Sequence, residues 1–163
     1  MRYLTLDEMV YINDQVTVHS PIHTIVEGKR KVRAMDLLEA AWGRPMQTVF
    51  GKDAYPMLVD KAAALLHSLV RNHPFADGNK RTAVVALIFM LAVNGQQVAW
   101  DEAEALAIIV QIAEGKRNIA DFTTWLTTKP GMPMLEADAE ADMALLETIM
   151  TEHRWLLAEL AKQ

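Results

Sequence analysis

Between Asn79 and Asn94 the chain runs through Ala83, Val84, Ala86, Leu87, Ile88, Phe89, Met90, Leu91 and Val93, a helical stretch that is apolar nearly all round. A helix without a polar face must be enclosed by others, so the chain is constrained to a bundle with this helix at its centre. The apolar run falls far short of the roughly 20 residues needed to cross a bilayer. A chain of 163 residues, 52% of them hydrophobic, can enclose it within one domain of ordinary size.

The approach to this helix carries the chemistry. Pro56 opens a preceding helix with Leu58, Ala62, Leu65, Leu66 and Leu69 on its apolar side, and Pro74 stops it by disfavouring helix at His73. His73, Phe75, Asp77, Gly78 and Asn79 then crowd a short loop that leads into the next helix N-terminus, where anions bind. The first turn of that helix holds Lys80 and Arg81, although the positive end of a helix favours carboxylates. Two cations there, beside the backbone N–H groups of Gly78, Asn79 and Lys80, suit a polyanion such as a nucleotide phosphate; two side chains bent into solvent are the plainer alternative. His67, six residues before His73, reads as a packed or partly buried histidine.

Elsewhere the pattern is helical. Tyr3 and Leu4 suit a short strand, and Thr5 with Glu8 forms a capping box for a helix bearing Leu6, Met9, Val10, Ile12 and Val16. His19 to Val32, with Lys29, Arg30 and Lys31 and with Arg33 just beyond, reads as a solvated loop or flap. Ala34 to Trp42 is a short helix ended by Gly43 and Pro45, and Phe50 to Tyr55 is a turn. Gln96 to Trp100 suits a strand, Asp101 and Glu104 cap a helix to Ala113, and Ile119, Phe122, Trp125 and Leu126 mark another before a break at Pro130 to Pro133.

From Leu135 to about Leu160 one long helix is expected. Ala139, Met143, Leu146, Met150, His153, Leu157 and Leu160 follow a heptad seam, widened by Leu145, Ile149 and Leu156. Such a stripe must be covered, by the body of the protein or by a second copy in a homodimer. The expected architecture is all-α: a body over residues 1–130 with a tiny β-hairpin, and a helical extension over 134–163.

Charge narrows the partners. Residues 1–133 carry 14 basic and 14 acidic side chains, and residues 134–163 carry 2 and 7, so the extension supplies the whole net charge of −5. A neutral body with an acidic tail argues against direct nucleic-acid binding. The absence of cysteine excludes disulfides and thiolate metal sites, and Met1 to Thr5 lacks a secretory apolar segment, which points to the cytoplasm.

His73 to Ala83, reading HPFADGNKRTA, closely resembles the Fic/Doc superfamily motif His-x-Phe-x-Asp/Glu-Gly-Asn-x-Arg, in the version carried by death-on-curing (Doc) toxins. The resemblance extends over roughly residues 3 to 128, taking in TLDE, AAALLHSLVRNHPF and GQQV, and leaves out the extension. It implies a Fic-fold bundle and transfer of a phosphate-containing group from ATP to a protein hydroxyl. Such transfer needs a base, a metal and a phosphate cradle. The implied roles are His73 as base, Asp77 as ligand of Mg²⁺, Gly78, Asn79, Lys80 and Arg81 as the phosphate cradle, and Phe75 as the anchor of the loop.

Departures from the motif bear on which group moves. Fic adenylyltransferases usually have Gly at the position of Lys80 and a second Arg at that of Val84, so the chain resembles the Doc branch, in which the γ-phosphoryl group is transferred. The type member of that branch acts on a translation elongation factor and is held off by an antitoxin, and both partners are implied here by resemblance alone. Residues 19–33 lack the Gly-rich flap pattern usual in the branch. Thr148 to Glu152 fits the Ser/Thr-x-x-x-Glu core of the inhibitory helix of some Fic proteins, but His153 follows it and the Arg that the Glu would pair with is absent at Val84. AMP transfer and a non-catalytic interaction module remain as alternatives; a metal hydrolase finds no ligand spacing among His19, His23, His67, His73 and His153.

Overall fold

The computed structural model describes residues 1–18 and 32–163. The flap expected from His19 to Val32, and the basic cluster Lys29, Arg30 and Lys31, therefore lie outside the described residues but for Val32. The fold is mostly α-helical, as expected. Helices α1 (Leu6–Thr17), α2 (Met35–Gly43), α3 (Leu58–Asn72), α4 (Asn79–Val93), α5 (Glu102–Ala113), α6 (Ile119–Trp125), α7 (Ala139–Glu152) and α8 (Arg154–Leu160) are joined by two small antiparallel pairs. Strand β1 (Thr48–Val49) pairs with β2 (Lys52–Asp53), and β3 (Gln96–Val98) with β4 (Thr128–Pro130), in the register Gln96↔Pro130 to Val98↔Thr128.

Helix α4 is the axis. Every residue from Thr82 to Leu91 is buried, because α1, α3, α7, α8 and β3 pack around it, α3 most extensively. Helix α1 begins at the expected capping box, with Thr5 Oγ1 accepting from the Glu8 amide at 3.0 Å and Glu8 Oε1 from the Thr5 amide at 2.8 Å. No helix among the described residues is long and apolar enough to cross a membrane.

Four local expectations need correction. Tyr3 and Leu4 form no strand, and the Leu4 carbonyl instead accepts from Trp42 Nε1 at 2.9 Å. Pro56 lies two residues before α3 rather than at its first position, and the expected turn from Phe50 is the tip of a β-hairpin with both Phe50 and Gly51 at positive φ. The extension is two helices rather than one. Asp138 caps α7 through the Ala141 amide, which postpones the start to Ala139, and at His153 the helix breaks (φ −104°, ψ 22°). There the His153 ring is engaged sideways, its Nδ1 lying 2.9 Å from Glu102 Oε1 and its edge facing Trp100.

The extension packs onto the body of its own chain. Leu146, Ile149, Leu156 and Leu160 join the same buried cluster as Met9, Leu66 and Phe89, so most of the apolar stripe is covered from within, while Met143 stays exposed. Its first turn is locked by Arg2, whose guanidinium donates to Asp142 at 2.5 and 3.1 Å, to Glu8 Oε2 at 3.0 Å and to the Met134 carbonyl at 2.9 Å while lying over the Phe89 ring. The bond to Asp142 outweighs the desolvation of Arg2 and raises its pKa. Removing one partner of a buried pair strands the other. Arg2→Ala should therefore cost about 3 kcal/mol in urea unfolding, and Arg2→Met combined with Asp142→Leu should recover most of that loss.

Candidate active site

The site forms where α3 ends and α4 begins. Pro74 ends α3, and His73 turns the chain through a left-handed conformation (φ 50°, ψ 57°) at its C-cap. Gly78 is left-handed as well (φ 75°) and caps the start of α4. Between them Phe75 plunges into the core, 1% exposed. Its amide donates to Asn79 Oδ1 at 2.9 Å, and its carbonyl accepts from Asn79 Nδ2 at 3.0 Å. The Asn79 side chain thus ties the loop to the first turn of α4 and leaves only its backbone for a ligand.

Helix α1 supports the loop from below. Asn13, buried on the same face as Met9 and Thr17, donates through Nδ2 to the Asp77 carbonyl at 2.8 Å and to Thr82 Oγ1 at 3.1 Å. Arg81 joins α1 to the loop as well, donating to the Val16 carbonyl at 2.8 Å and to Asp77 Oδ2 at 3.2 Å. A Cβ on Gly78 would stand 2.6 Å from Thr17 Cγ2, so the glycine answers both a backbone conformation and a close helix approach.

His73, Asp77, Gly78, Asn79, Lys80 and Arg81 line one cavity of about 260 Å³. Leu160, Ala161 and Gln163 form another wall of it. Of the residues singled out in the sequence, Phe75 is not in that lining, in keeping with its place in the core. Val84 is fully buried and is not in that lining either. The His73 pKa lies below its ordinary value of 6.5, first through desolvation and then through the charges of Lys80, Arg33 and Arg71. At neutral pH the imidazole is therefore mainly uncharged and able to accept a proton.

The donor set bears on metal binding. Among the described residues no three His, Cys, Asp or Glu side chains gather as a metal cage. A single carboxylate, Asp77, fits Mg²⁺ arriving with phosphate oxygens, since that ion keeps several waters and takes one or two protein carboxylates.

Residues 3–91 match the sequence model of the Fic/DOC family. The chain belongs to that family. The match includes the loop and α4 up to Leu91, and stops before the GQQV segment and the extension. The chain is also 60% identical over 74 residues to Toxin Doc of Mycolicibacterium smegmatis (strain ATCC 700084 / mc(2)155), a match covering 45% of this chain and 57% of that protein. It thus spans little more than half of that relative's length.

The motif itself did not point to Asn13, Thr17, Thr82 or Arg33. The available signal was the i, i+4 row Met9, Asn13, Thr17, which places two polar residues on the buried face of α1. Their fit to Gly78 can be tested. Gly78→Ala should cost about 2 kcal/mol from positive φ and overpacking together. In a double-mutant cycle of unfolding free energies, Thr17→Ser should recover the steric part by removing the opposing methyl.

Proposed function

We propose that the chain is a Doc-like toxin that transfers the γ-phosphoryl group of ATP to a hydroxyl of a protein target. The observation that carries this reading is the convergence of His73, Asp77, Lys80 and Arg81 on one small cavity at the N-terminus of the buried helix α4. His73, held uncharged by burial and by neighbouring cations, takes the proton of the target hydroxyl. The hydroxyl oxygen attacks the γ-phosphorus, the bond to the β–γ bridging oxygen breaks, and ADP leaves. The amides of Gly78, Asn79 and Lys80, at the positive end of α4, receive phosphate oxygens together with the Lys80 ammonium. Arg81, already oriented by Val16 and Asp77, adds a fixed guanidinium. Mg²⁺ on Asp77 would neutralise phosphate charge.

Lys80 in the cradle and the buried Val84 favour γ-phosphoryl over AMP transfer. Similarity to a protein named Toxin Doc supports an antitoxin partner, and a translation elongation factor in the cytoplasm is the proposed target.

The decisive experiment presents candidate elongation factors with Mg²⁺ and ATP labelled at the γ- or the α-phosphate. Label from γ only, abolished by His73→Ala, is the expected result; label from α would make the protein an AMP transferase. No transfer and no Mg²⁺-dependent nucleotide binding would favour an interaction module. Because the His73 pKa is depressed, kcat/KM should fall with acid only below the ordinary histidine range and stay flat from about pH 7 upward through mild alkali.

A further inference from the structure

The left-handed conformation of His73 has to be held from outside. Among the described residues only Phe50 and His73 have positive φ without being glycine, and such a conformation costs an ordinary residue roughly 1–2 kcal/mol. The end of α3 also leaves carbonyls with no partner inside the helix. Both needs are met by the short segment just before α2.

Arg33 Nε donates to the His73 carbonyl at 2.8 Å, and Nη2 donates to the same carbonyl at 2.6 Å and to that of Asn72 at 3.0 Å. The Arg33 and Ala34 amides both donate to the Pro74 carbonyl, at 2.7 and 3.1 Å. Val32 pairs with Phe75 in an antiparallel bridge. Three successive carbonyls, of Asn72, His73 and Pro74, are thus received by two successive residues. On the other side of the loop, the Asn79 side chain holds Phe75 by both its amide and its carbonyl.

We propose that Arg33 is a positioning residue for His73, its guanidinium fork fixing the carbonyls at the end of α3 so that the imidazole is presented to the cavity. The inference rests on the reading of His73 as the base. A fork that grips one carbonyl with two nitrogens and reaches a second carbonyl with one of them has no equivalent in lysine, which carries a single compact ammonium. The contacts lie at the surface, where single charged interactions contribute little to global stability. Loss of Arg33 therefore separates placement from folding. The charged groups bearing on the ring are Lys80, Arg71 and Arg33 itself, with the Asp77 carboxylate on the same loop.

The test compares Arg33→Ala and Arg33→Lys with the full-length protein. Both variants should keep their melting temperature within a few degrees and their KM for Mg-ATP within about twofold, while kcat falls by roughly ten- to a hundredfold, as small misplacements of a reacting group do. Lysine should not rescue, because it restores charge without the fork. Unchanged kcat in Arg33→Ala, or full recovery in Arg33→Lys, would overturn the proposal. A second readout needs no transfer activity: amide hydrogen exchange at Phe75 and Ala76, with the His73 ring resonances in NMR spectra. Faster exchange and a shifted or averaged ring signal in both variants support the clamp, and unaltered spectra would overturn it. If the wild-type protein transfers nothing, this readout still decides the role of Arg33 while the proposed function fails separately.

Discussion

The complete burial of α4 is the constraint from which the rest follows. A helix enclosed on all sides can offer polar groups only at its two ends, and each end here has its own solution. At the C-terminal end Asn94 turns its amide inward, donating to the Met90 carbonyl at 2.8 Å and the Arg2 carbonyl at 2.7 Å, while Oδ1 accepts from the Arg2 amide at 2.7 Å. That end is sealed by the amino-terminal segment of the chain. The N-terminal end opens on the cavity, and its first turn carries Lys80 and Arg81 where the helix field would favour carboxylates. Arg81 meets Asp77 four residues earlier, a local counter-charge that belongs to the same loop. The field at this end favours an added anion.

Holding that open end requires a second helix, and α1 performs the task with few groups. A buried amide is costly unless its hydrogen bonds are made, and Asn13 makes them to the loop and to the first turn of α4 together. The close approach then leaves no room for a side chain on Gly78. The carbonyl of Asn13 in turn accepts from Thr17 Oγ1 at 2.7 Å, which fixes the methyl that Gly78 must avoid. Conformation, packing and polar satisfaction thus impose the same choice of residue at one position.

What the sequence disclosed follows from the range of each signal. The loop and the caps at Thr5, Asp101 and Asp138 are local chemistry, in which neighbours along the chain decide the geometry, and the loop and the first two of these caps stand in the structure as read. The all-round apolarity of α4 was equally plain, since it needs no knowledge of partners. Arg33 and Asn13 act across about 40 and 64 residues of chain respectively, and nothing near them in sequence marks that reach. The break at His153 was hidden for a related reason. The heptad spacing continues through it, and only Glu102, brought in from α5 and itself accepting from Trp100 Nε1 at 2.6 Å, supplies the competing partner. The turn at Phe50 was legible, but the hairpin around it was not, because Phe-Gly is not among the pairs that commonly form such a tip.

The extension closes the argument about charge. Seven of its residues are acidic and two basic, and its last turn borders the loop that carries Lys80 and Arg81. A polyanion in the cavity would be repelled if those acidic groups faced it. The residues that reach the wall are Leu160, Ala161 and Gln163, none of them charged in the side chain. The nearest acidic side chain in sequence, Glu159, pairs with Lys162 at 3.1 Å, and Asp142, at the far end of the extension, is spent on Arg2. The acidic character of the extension is thus not carried by its side chains into the cavity lining. The side chains it supplies to that wall add no charge that opposes the field of the α4 N-terminus.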